Sequence, residues 1–105
     1  MTVSMLIRNS DTGECEDVPV ACSDTFRRVW LPAAENLGLE LVALFDGGAL
    51  TTVPPELVPQ IIAEVTCLQQ WAPNQPNGEY LVERCTDILA AFARTDPTVC
   101  EYNFG

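Results

Sequence analysis

Two helix-period segments, joined by a loop that no helix can cross, constrain this 105-residue chain more than any other feature. Leu57, Ile61, Val65 and Leu68 fall on one stripe between residues 56 and 71. Leu81, Cys85, Ile88 and Phe92 form a second stripe between residues 79 and 94. Spacings of three and four put such residues on a single helix face. The intervening "APNQPNG" carries two prolines and a glycine, which stop the first helix and turn the chain. Pro55 and Pro59 sit at the start of the first segment, where a missing amide costs least, and Asp96-Pro97 ends the second. The spacing therefore predicts an antiparallel helical hairpin. Its two apolar stripes must be buried against another layer.

That layer is sought in the strand-like segments. Val3, Met5 and Ile7 alternate along residues 2–8, and Val18 and Val20 alternate along 15–21. The turn cluster "NSDTGE" between them makes an N-terminal hairpin. Pro19 cannot donate to a ladder and assigns its strand to a sheet edge. Residues 23–38 read as a helix through Phe26, Val29, Trp30, Ala33, Ala34 and Leu37. Pro32 either kinks it or opens a second, shorter helix, and Gly38 stops it. "LELVALFDGGALTTV" is predicted to be a second hairpin, with a central strand apolar on both faces and "DGG" at its turn. Cys100, Tyr102 and Phe104 alternate in a closing strand. The expected fold is a single α+β domain over residues 1–105, in the order β-β-α-β-β-α-α-β. It has one mainly antiparallel sheet of about five strands, with the C-terminal helical hairpin packed on one face.

Composition narrows the chemistry. Histidine is absent, which removes the commonest general base near neutral pH and the commonest metal ligand. Cys85 follows Arg84, but it lies on the core stripe, so a nucleophilic thiol is not expected there. Five widely spaced cysteines show neither zinc nor dithiol spacing and read as small, mostly buried apolar side chains of a reducing compartment. "SDTGECED" is acidic but lacks calcium-loop spacing, and "DGG" precedes no helix that could cradle a phosphate. No catalytic residue, metal site or cofactor is predicted, and the chain is not expected to be an enzyme. It begins at Met1 and is read as a whole small protein. It has no secretory signal, and its longest apolar run is broken by Glu40, so a cytoplasmic protein is expected.

Charge is the strongest compositional signal. Fifteen acids face five bases, all arginine, for a net charge of −10. Nucleic acid and anionic membranes are disfavoured as partners, because both need a basic footprint. Glu79, Glu83 and Asp87 stack one turn apart on the face opposite the second stripe, with Arg84 within reach of Asp87. Like charges at that spacing cost a helix about 0.2–0.5 kcal/mol per pair. Glu56 and Glu64 repeat the theme on the first helix. The outer faces of the hairpin could merge into one negative surface that attracts a basic partner, or they could simply be solvated. Trp71 and Tyr80 either cap the hairpin or form an aromatic rim beside that surface. The expected function is a small acidic protein-binding module, an immunity-type inhibitor of a basic toxin or nuclease. Two alternatives remain open: a small structural or assembly protein, acting as a homodimer or accessory subunit, and a DNA-mimicking anti-restriction or anti-CRISPR protein.

Overall fold

A computed structural model describes residues 2–105. Strand β1 (Thr2–Asn9) and strand β2 (Cys15–Cys22) form the predicted N-terminal hairpin. Asn9 organises its turn: the side-chain oxygen accepts from the amides of Asp11 and Thr12, and Gly13 takes the left-handed φ of +74°. The chain then runs helically through α1, residues 23–37. Inside α1 a π-helical segment, Phe26–Trp30, lies between the α-helical turns Ser23–Thr25 and Leu31–Leu37. Pro32 has no amide to offer one turn back. The helix widens just before it, with Leu31 N–H bonded to the Phe26 carbonyl. Gly38 closes α1 at φ +69°. Helix α2 (Val58–Trp71) and helix α3 (Gly78–Ala93) form the predicted hairpin, and strand β3 (Cys100–Phe104) ends the fold.

The sheet has three strands in the order β2-β1-β3, both pairings antiparallel. Pro19 does lie on an edge strand. Opposite Val3 and Ser4 the register slips, so that Val20 becomes an extra, bulged residue. Val3, Met5, Ile7, Val18, Val20, Tyr102 and Phe104 point to the helical side and are buried. They meet the stripe residues Ile61, Val65, Leu68, Leu81, Cys85, Ile88 and Phe92, all buried as well. An aromatic chain crosses this core. Trp30 packs between Phe26 and Phe45, and Phe45 stacks on Phe104 with centroids 4.0 Å apart.

The expected five-stranded sheet is wrong, and the error lies in residues 39–53. This segment forms no hairpin. Val42–Leu44 is a 3-10 turn followed by bends. Leu41, Val42 and Phe45 are buried together, a helical and not an alternating pattern. A strand apolar on both faces needs a layer on each side, and here helices cover only one face of the sheet. The glycines of "DGG" do take positive φ, +106° at Gly47 and +81° at Gly48, but within an irregular loop. The loop still seals the outer edge of β3: Phe104 N–H donates to the Leu50 carbonyl and Val53 N–H to that of Tyr102. The observed order is β-β-α-α-α-β. No helix among the described residues is long and apolar enough to cross a membrane.

Candidate functional site: an acidic ridge on the C-terminal helix

The core stripe of α3 fixes its opposite face in solvent. Glu79, Glu83 and Asp87 are all exposed there. At 1.5 Å rise per residue the three carboxylates span about 12 Å along the helix. None of them belongs to an ion pair among the described residues. Arg84 does not turn to Asp87 as the sequence suggested. Its guanidinium carbon lies 5.7 Å from the centre of the Tyr80 ring. The ion pairs fall elsewhere: Arg28 with Asp24, Arg27 with Asp46, and Arg94 with Glu16. Only Glu79 has local relief, from the positive end of the helix. A shallow, mainly apolar dip at Pro73 and Val82 lies against Glu79 and Glu83.

The first helix contributes less than expected. Glu56 is exposed, in the 3-10 turn Pro55–Leu57 that leads into α2, at the end of the antiparallel hairpin away from Glu79. Glu64 is not on the surface at all, with 8% of its area exposed. One carboxylate oxygen accepts from the amides of Leu41 and Val42, at 2.9 and 3.1 Å, and the other from Gln60 Nε2 at 2.9 Å. Glu64 is thus a structural acceptor that ties the 3-10 turn to α2. The wheel position next to the stripe, where a packed loop covers the helix, explains its burial. The remaining exposed positions of α2 include Pro59, Gln60, Ala63, Cys67 and Gln70, all uncharged. The merged negative surface reduces to the ridge of α3.

The two rim aromatics separate. Tyr80 is half-buried. Its hydroxyl accepts from Trp30 Nε1 at 3.2 Å and donates to the Val20 carbonyl at 3.0 Å. It therefore joins α1, α3 and the β2 bulge and satisfies a carbonyl that the bulge frees. Trp71 is half-buried and lines a groove with Val29, Pro32, Ala33 and Pro76, which Tyr80 does not reach. The two rings form no common patch.

The expectation of mostly buried cysteines fails: Cys85 is buried, but Cys15, Cys22 and Cys67 are exposed. Cys22 is exposed at the start of α1, with Sγ 3.0 Å from Thr25 Oγ1. That hydroxyl, and then the Thr25 amide, hold the thiol below its ordinary pKa. The signal was the spacing "CSDT" ahead of a helix. All five cysteines are free thiols, and no cluster of metal-ligating side chains occurs among the described residues. No protein-family model, curated protein or solved structure matches this chain.

Proposed function

We propose that the chain is a non-catalytic, acidic binding module of the cytoplasm that inhibits a basic protein, such as a toxin or nuclease, in the manner of an immunity protein. The observation that carries this reading is the ridge of Glu79, Glu83 and Asp87, exposed and without a cationic partner while three of the five arginines pair with other acids. Packing on the opposite face fixes the helix that presents the ridge. The spacing of the three acids along the surface is therefore set before any partner arrives, and their shared negative potential favours fast, steered association. The dip at Pro73 and Val82 suits the aliphatic stem of an arginine or lysine whose head reaches Glu79 or Glu83. Exposed free thiols at Cys15, Cys22 and Cys67 fit a reducing compartment.

Affinity capture from a lysate of the source cells tests the proposal. The bait is compared with its Glu79→Gln, Glu83→Gln, Asp87→Gln triple variant. The wild type should retain a basic protein at low salt and release it at about 1 M salt, where the screening length falls to about 3 Å. The triple variant should retain none. A partner held equally by both baits at both salts would replace this reading with the assembly alternative.

A further inference from the structure

The outer face of the sheet, away from the helices, carries features that the ridge does not use. Leu6 stands at its centre, 44% exposed, one of only two large apolar side chains left exposed among the described residues. Arg8 follows on the same face, directly across from Glu101 of β3. Cross-strand neighbours of opposite charge lie close enough to pair. Yet no ion pair joins these two, and Arg8 has no acidic partner within 4.0 Å among the described residues. Thr51 and Thr52, from the loop that seals β3, rise beside Asn103. Together with Leu6, Arg8 and Glu101 they line a depression of about 330 Å³. That volume lies at the small end of ligand pockets.

We infer that this depression binds a small aliphatic α-amino acid as its zwitterion, with the carboxylate on Arg8, the ammonium on Glu101 and the side chain on Leu6. Three considerations select this ligand. A guanidinium and a carboxylate held on one face but not closed on each other can be bridged by a molecule bearing both opposite charges. The net charge of −10 repels a simple carboxylate or phosphate at long range, whereas a zwitterion carries no net charge. The apolar floor at Leu6 favours an aliphatic group. A second copy of the chain is a poorer occupant. A three-stranded face of this length offers on the order of 300 Å² per partner, against about 800 Å² in a stable interface.

A titration followed by amide and methyl NMR shifts tests the site with L-leucine, 4-methylpentanoate and 3-methylbutylamine. The last two lack the amino group and the carboxylate respectively. L-leucine should give saturable shifts at Leu6, Arg8, Thr51, Thr52, Glu101 and Asn103, and the other two should bind about tenfold or more weakly. Arg8→Gln and Glu101→Gln should each weaken L-leucine by a similar factor, the loss expected for one charge-assisted hydrogen bond. Both positions are exposed, so unchanged spectra elsewhere report an intact fold. The inference is overturned if L-leucine gives no saturable shifts, if 4-methylpentanoate binds equally well, or if the same amides shift with protein concentration alone.

Discussion

Glu64 concentrates three hydrogen bonds on one buried carboxylate, and two of them hold the first amides of a turn that has no other acceptor for them. Glu64→Ala should destabilise the protein by about 2–4 kcal/mol, because buried donors then lose their acceptor. Glu64→Gln keeps one acceptor oxygen and should cost about 1 kcal/mol. Urea unfolding of the two variants measures the difference, and equal losses would show that the carboxylate does not act as an acceptor. Sequence reading placed Glu64 on the surface because a helical wheel knows only its own helix. The loop that buries it comes from residues more than twenty positions earlier. Glu79, Glu83 and Asp87 were legible because nothing packs over their face.

Among the elements, the turn between α2 and α3 is the tightest. A Cβ added at Gly78 would lie 2.1 Å from the Ala72 carbonyl oxygen, a contact between two backbones that cannot be relieved by a side-chain rotation. Gly78→Ala should therefore lower stability by about 1–3 kcal/mol, read as a reduced thermal midpoint. Loss of less than a few tenths would mean that the corner is loose. The helices were legible because their signals are local: an apolar period near 3.6, prolines at their starts and a glycine at the turn. The run "LELVALF" was not legible. Nearly every position is apolar, so strand and helical turn fit it equally well. Contact with Glu64 and with Phe104 selects the turn.

For the molecule as a whole, burial sets a pH limit. Burial pushes the Cys85 thiol up from 9.0 to about 12 and raises the Tyr102 hydroxyl as well. Above pH 9.0 the unfolded chain loses the thiol proton while the folded chain keeps it. The folded state then binds more protons, so stability falls as pH rises. The full contribution is present below pH 9.0 and is lost progressively towards about 12. Urea midpoints should decline across this window, and Cys85→Ala should flatten the decline even though it lowers stability at neutral pH. An identical slope in the variant would assign the decline to other groups. The amino-acid order by itself determined the helical hairpin, the edge position of β2, the acidic face of α3 and the lack of histidine chemistry. Each of these depends on neighbours within a few residues or on composition alone. Only the tertiary structure decided that residues 39–53 form a loop, that Glu64 and Tyr80 serve the interior, and that Arg8 and Glu101 face each other unpaired. Those outcomes depend on which distant groups arrive beside them, and burial in a shared core, not local preference, sets that choice.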